Sequence, residues 1–158
     1  MSGRPVTIPD QVMAVVHAEA RRAFPTECCG FLTGPRESDT VTRARPCANA
    51  AGATRHPTAP ERGAETAYVI DGEDLLALAR SLDGPEPARV IYHSHPNGRA
   101  YFSATDEAVA KDPWGEGPMY PVQQLVVGID AERVVEARLY DWDAAAGRFV
   151  EIWSSRSS

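Results

Sequence analysis

The chain has 158 residues, of which 43% are hydrophobic and 24% charged; these are ordinary globular proportions and exclude a disordered, collagen-like or coiled-coil chain. The formal net charge is −6, and the basic residues are scattered. The basic stripe of a nucleic-acid binder is therefore missing, and no run approaches the ~20 apolar residues of a membrane span. Length alone predicts one domain over residues 1–158. The opening MSGRPVTIPD has no apolar segment of a secretory signal, so the expected location is the cytoplasm.

In chain order, Pro9 to Phe24 reads as an amphipathic helix carrying Val12, Val15, Val16, Glu19 and Ala20 at helical spacing, stopped by Pro25. Cys28 to Thr33 is a short apolar strand. Val41 to Pro46 alternates and is expected to pair with it through a turn at Arg36–Asp39. Ala48 to Thr66 reads as a long loop, a length that usually has a function. Ala67 to Ile70 is a short strand. Asp71 caps a helix to about Leu82, with Leu75, Leu76, Leu78, Ala79 and Leu82 on its apolar side. Arg89 to His93 is a strand rich in β-branched and aromatic residues. Ser103 opens a helix to about Lys111, and a Pro/Gly-rich loop follows. Val122 to Ile129 is almost continuously apolar, as expected of a central strand buried on both faces. Arg133 to Asp141 and Arg148 to Trp153 form a hairpin, and residues 154–158 are expected to fray.

Cys28 and Cys29 are adjacent, and Cys47 stands alone. Neighbours on a strand point to opposite faces, so Cys28 and Cys29 do not readily share a metal. No C-x-x-C occurs and no disulfide framework is expected; all three cysteines read as packing residues.

The chemistry is concentrated in Tyr92 to Asp106, YHSHPNGRAYFSATD. His93 and His95 are two apart at the end of a strand and share a face. Asp106 arrives early in the next helix. Two imidazoles and a carboxylate make three ligands with a fourth position open, the pattern of a catalytic zinc site. A second reading stands beside it. Each histidine can simply be hydrogen-bonded, and Ser103-x-x-Asp106 also reads as a capping box that starts a helix. His17 in the first helix and His56 in the long loop read as structural or solvated.

His93-Ser94-His95, seven residues, then Ser103-x-x-Asp106 resembles the JAMM (MPN+) metallopeptidase signature. Pro25 to Gly34, PTECCGFLTG, resembles the P-x-E-x-C-G-x-L-x-G segment of its bacterial branch. The resemblance implies an α+β fold, the MPN domain, with a curved mixed sheet flanked by helices and an architecture akin to cytidine deaminase. It implies that His93, His95 and Asp106 ligate one catalytic Zn²⁺. It implies that Glu27 is the general base for the metal's water and that Ser103 donates a hydrogen bond to the oxyanion. Composition and spacing alone do not distinguish Glu27 from the other glutamates.

The resemblance further implies hydrolysis after the C-terminal glycine of a ubiquitin-like sulfur-carrier protein, from a carrier–cysteine adduct or a C-terminal extension. The segments 48–66 and 112–121 are candidate walls of a groove for the carrier's tail. A non-catalytic MPN scaffold and a structural zinc-binding interaction module are the alternatives. A zinc deaminase would need H-x-E with P-C-x-x-C and a zincin H-E-x-x-H; neither occurs.

Overall fold

The computed structural model describes residues 3–52 and 68–156. Helix α1 spans Asp10–Ala23 and buries Val12, Val16 and Ala20, an i, i+4, i+8 stripe along one face. The carbonyl of Pro9 accepts the N–H groups of Val12 and Met13. Pro25, which follows a cis peptide bond, lies just beyond the helix.

Strands β1 (Cys29–Thr33) and β2 (Arg43–Cys47) pair antiparallel. β2 is the edge of the sheet, which suits its exposed arginines and Pro46. It starts two residues after the expected Val41. That residue is fully buried, and its N–H binds the carbonyl of Thr7 instead of β1.

Helix α2 spans Gly72–Ser81, and the Asp71 side chain accepts the N–H of Glu73. Leu78 is fully buried, with Leu75 and Leu82 packed beside it. Leu76 and Ala79, expected on the same side, are exposed. The buried stripe runs 75–78–82, and each of these two residues stands a further ~100° round the helix.

The expected strand at 67–70 reduces to one isolated bridge between Asn49 and Ile70; Ala67 lies outside the described residues. The Val69 N–H bonds to the Asn49 side chain at 3.0 Å, so it is not available to a ladder. The stretch expected to be a loop begins with a single 3-10 turn at Ala50–Gly52; residues 53–66 lie outside the described ones.

Strands β3 (Ala88–His95) and β4 (Gln123–Ile129) are parallel, with helix α3 (Ala104–Ala110) in the crossover between them. Every residue of β4 is buried, as its apolar run predicts. β5 (Val134–Asp143) and β6 (Arg148–Arg156) close the sheet as an antiparallel hairpin. The tail expected to fray is partly paired: Ser154, Ser155 and Arg156 lie opposite Arg138, Ala137 and Glu136. β5 is ten residues long and offers partners that far, and the Arg156 guanidinium reaches Glu136 at 3.4 Å. Residues 157–158 lie outside the described ones.

The result is a mixed α+β fold, one six-stranded sheet in the order β2-β1-β3-β4-β5-β6 with helices on both faces. On one face α1 packs against Leu32, Val90, Tyr92, Leu125 and Val127. On the other, α2 covers Cys29, Phe31 and Ile91, while Ala110 of α3 meets Val126 and Tyr140. Alternation along β3 places Ile91, His93 and His95 on this second face. No described helix is long and apolar enough to cross a membrane.

Candidate metal centre

His93 and His95 end β3 and are 0% and 4% exposed. The chain then turns through Pro96–Gly98, where Gly98 takes a φ of +78°, a conformation that favours glycine. The turn lies directly on β4. A Cβ on Gly128 would come within 2.6–2.7 Å of the backbone of Gly98 and Arg99, so only a glycine lets the turn approach that closely.

The next residues are held by β5. Glu136 Oε2 accepts the Ala100 N–H at 2.7 Å, and Tyr140 Oη donates to the Ala100 carbonyl at 2.7 Å. Both backbone polar groups of the buried residue Ala100 are thereby satisfied. The loop delivers the chain to Ser103, the N-cap of α3. Ser103 Oγ accepts the Asp106 N–H at 3.0 Å, and Asp106 Oδ2 accepts the Ser103 N–H at 3.0 Å. The capping box is therefore present. It does not compete with the ligand reading, because the same Oδ2 atom lies 3.1 Å from His93 Nε2 and 3.0 Å from His95 Nε2.

Glu27 enters from the other side, immediately before β1. The antiparallel register pairs Cys29 with His93, and continuing it places residue 27 opposite residue 95. Parity then turns Glu27 toward the face that carries both histidines. Its backbone is fastened twice: Asn49 Nδ2 donates to the Glu27 carbonyl at 2.8 Å, and the next residue, Cys28, donates its N–H to Ser94 Oγ at 2.8 Å. Glu27 is 4% exposed. Ligand atoms from Glu27, His93, His95 and Asp106 all lie within 4.8 Å of one another.

The two Nε2 atoms and the Asp106 oxygen form a triangle with sides of 3.0–3.2 Å. Tetrahedral zinc with bonds of about 2.0–2.1 Å sets its ligands about 3.3 Å apart, so the triangle fits that ion. His95 Nδ1 lies 3.2 Å from the carbonyl of Arg99. A hydrogen on Nδ1 donated to that carbonyl leaves the Nε2 lone pair facing the triangle, the usual support of a metal-bound histidine. Tyr68 stacks on the His93 ring, with centroids 4.4 Å apart and planes at 21°.

Charge states suit a cation. Burial pushes His93 down, favouring the neutral imidazole, against the pull of Asp106. Burial alone would raise Asp106; His93 and His95 outweigh it and hold the carboxyl well below its usual range. The cysteines contribute no ligand atom. Cys28 packs on the α1 face and Cys29 on the other, and all three thiols are free.

All five residues singled out from the sequence thus meet in one place, Ser103 through its cap to Asp106. His17 lies on α1 across the sheet, and His56 lies outside the described residues. Residue types and spacing did not point to Asn49, Tyr68, Glu136 or Tyr140. Ser94 sits inside the histidine motif, but its role shows only in the register of β1 against β3.

A family model of prokaryotic homologs of the JAB domain matches residues 9–140. The chain belongs to this JAB family. It is 41% identical over 105 residues to a CysO-cysteine peptidase of Mycobacterium tuberculosis, an alignment covering 66% of this chain and 64% of that protein. The chain thus spans somewhat less than two thirds of that relative's length. It is 30% identical over 105 residues to a desampylase of Haloferax volcanii, covering 66% of this chain and 68% of that one. Among solved structures, a protein from Desulfitobacterium hafniense superposes with a TM-score of 0.63 at 25% identity, covering 92% of this chain and 88% of its own. A JAB1/MPN domain protein from Archaeoglobus fulgidus superposes at 0.52 with 14% identity, covering 92% and 95%. This JAB1/MPN structure speaks for the fold alone.

Proposed function

We propose that this JAB protein is a zinc-dependent peptidase. Its reaction is hydrolysis of the bond after the C-terminal glycine of a ubiquitin-like sulfur-carrier protein, from a carrier–cysteine adduct or a short C-terminal extension. The observation that carries the reading is the convergence of Glu27 on the His93–His95–Asp106 triangle, all four residues being buried. The activities for which the mycobacterial and haloarchaeal relatives are named support the substrate class.

His93, His95 and Asp106 are the residues that would hold the ion. Zinc held there would supply Lewis acidity and would bring the acidity of water near neutral pH. Glu27 takes the proton released from the attacking water and passes it to the leaving amine, as a carboxylate within hydrogen-bond reach can. Ser103 Oγ accepts from Asp106 N, which leaves its own hydrogen to donate to the oxyanion of the tetrahedral intermediate. Two of the four acidic and imidazole groups thus have dissimilar tasks: Asp106 stays an anion under two imidazoles, while Glu27 exchanges a proton.

The test is mass-spectrometric assay of a ubiquitin-like carrier bearing one C-terminal cysteine, with and without a zinc chelator. Release of free cysteine, abolished by chelation and restored by zinc, is expected. Cleavage that persists after complete metal removal would overturn the mechanism.

A further inference from the structure

Next to the centre, on the same face of the sheet, lies a cavity of about 380 Å³. Tyr68, Ile91, Leu75 of α2, Ala108 of α3, Met119 and Gln124 of β4 are among the residues that wall it. The cavity adjoins the metal centre directly. Tyr68 is the ring stacked on His93, Ile91 precedes His93 by two on the same face of β3, and the lining residues Val109 and Ala110 follow Asp106 by three and four on α3.

Gln124 does not belong in such a lining by default. It is 3% exposed, and its Oε1 has no hydrogen-bond partner among the described residues. Its cross-strand neighbours are Ile91 of β3, which offers nothing polar, and Tyr140 of β5, whose hydroxyl hydrogen is given to the Ala100 carbonyl. A buried amide oxygen left without a donor is costly, and native proteins retain few of them. Apolar walls with one unsatisfied acceptor describe a site for an apolar side chain attached to an N–H donor. One residue of an extended peptide has both.

Resting on the peptidase reading above, we propose that this cavity takes one apolar side chain of the carrier's tail, upstream of the scissile bond. Gln124 Oε1 accepts a backbone N–H of that tail. Distance along the chain agrees. Two residues of extended backbone span about 6.5–7 Å, the step from His93 to Ile91 and also the step from the scissile glycine to the second residue before it. The glycine has no side chain to place, so the nearest occupant comes from further back. A released cysteine, small and zwitterionic, matches neither the size nor the apolar walls.

The experiment uses the zinc-loaded protein and a ubiquitin-like carrier with a C-terminal cysteine. Each apolar residue in the last six positions before the scissile bond is changed to Ala, and kcat and KM are measured separately. One position is expected to raise KM about tenfold with kcat within twofold. Ala108→Trp, at an exposed helix position facing the cavity, should raise KM for the parent carrier similarly. It should add nothing for the carrier already changed at that position, because the two changes remove one contact. Gln124→Leu is the second variant. Removing an unsatisfied amide should leave the protein at least as heat-stable as the parent, while KM for the carrier rises. Additive effects, a tail with no sensitive position, or a Gln124→Leu protein that is less stable with unchanged KM would each overturn the cavity assignment and leave the peptidase reading standing. Failure of the unaltered protein to cleave any such carrier would remove both.

Discussion

Ser94 and Cys28 exchange two hydrogen bonds: Ser94 Oγ accepts the Cys28 N–H at 2.8 Å, and the Ser94 N–H donates to the Cys28 carbonyl at 3.1 Å. Ser94 stands between the two histidines and Cys28 follows Glu27. The pair therefore fixes the carboxylate's strand relative to the imidazoles. Ser94 is fully buried, so no water replaces its hydroxyl. Ser94→Ala leaves the Cys28 N–H without that acceptor and should destabilise the protein by about 1–3 kcal/mol. With Glu27 less well placed, kcat should fall about tenfold or more while zinc content stays near one per chain. Thermal melts, metal analysis and carrier hydrolysis on the same preparation check this. Unchanged kcat in a folded Ser94→Ala protein would mean that the exchange does not position Glu27.

Three substitutions separate the proposed roles at the centre. Glu27→Gln should keep zinc and lose about 10²–10⁴ in rate, the range of a lost general base. Ser103→Ala should keep zinc and lose about 10²–10³ in rate, with about 0.5–2 kcal/mol of stability lost along with the N-cap. Asp106→Ala should lose the metal itself, because the triangle is left with two nitrogens. Chelation of the unaltered protein should lower its Tm and zinc should restore it, since a ligand bound to the folded state alone stabilises that state. Metal content by elemental analysis decides among these. If Glu27→Gln emptied the site as thoroughly as Asp106→Ala, Glu27 would be a fourth ligand and the site a closed one.

What local pattern controls is legible in the sequence. The i, i+2 histidines, the Ser103-x-x-Asp106 cap, the α1 stripe and the doubly buried β4 each depend on residues within a few positions of one another. Glu27 was different. Its place depends on the pairing of Cys29 with His93, a contact across more than sixty residues, and nothing in PTECCG by itself encodes that partner. Only the family resemblance selected it. The clamp on Ala100 is equally non-local, since Glu136 and Tyr140 lie 36 and 40 residues away. The misassigned pieces share a cause. Tyr68 and Ile70 look like a strand because they are buried, but a side chain takes the backbone bond between them. Ser154 to Arg156 look like a polar tail, yet a long β5 offers them partners.

The Ala100 clamp makes stability depend on acid. Glu136 is held below its ordinary value of 4.5, first by the Ala100 N–H and then by Arg138 and Arg156, against its own burial. A lowered folded-state value means that the stabilisation is complete above about pH 4.5 and is lost as pH falls through the folded value. The unaltered protein should therefore lose Tm more steeply below pH 4.5 than Glu136→Gln, which has no carboxylate to protonate there. Tyr140→Phe removes the second half of the clamp at every pH. It should lower stability by about 1–3 kcal/mol for the unpaired Ala100 carbonyl, without changing the acid slope. Melts from pH 3 to 7 on the three proteins check both claims, and parallel curves for the unaltered protein and Glu136→Gln would refute the assignment.

The cysteines give a prediction of inertness. Burial pushes the Cys28 thiol up to about 11, Cys29 higher still, and Cys47 up to about 12. At pH 8 about one Cys28 in a thousand is then a thiolate, and the thiolate is the reactive form and the metal ligand. Packing closes the remaining route. Cys28 lies in the core under α1, on the face away from the histidines, and Cys29 at the start of β1 is covered by α2. A disulfide-exchange reagent at pH 8 should therefore label neither Cys28 nor Cys29 in the folded protein over minutes, with the half-exposed Cys47 slow, and should label all three in urea. Zinc content should be unchanged by the reagent until the protein unfolds. Fast labelling of Cys28 or Cys29 that released zinc from folded protein would place a thiol at the metal and contradict the His93–His95–Asp106 ligand set.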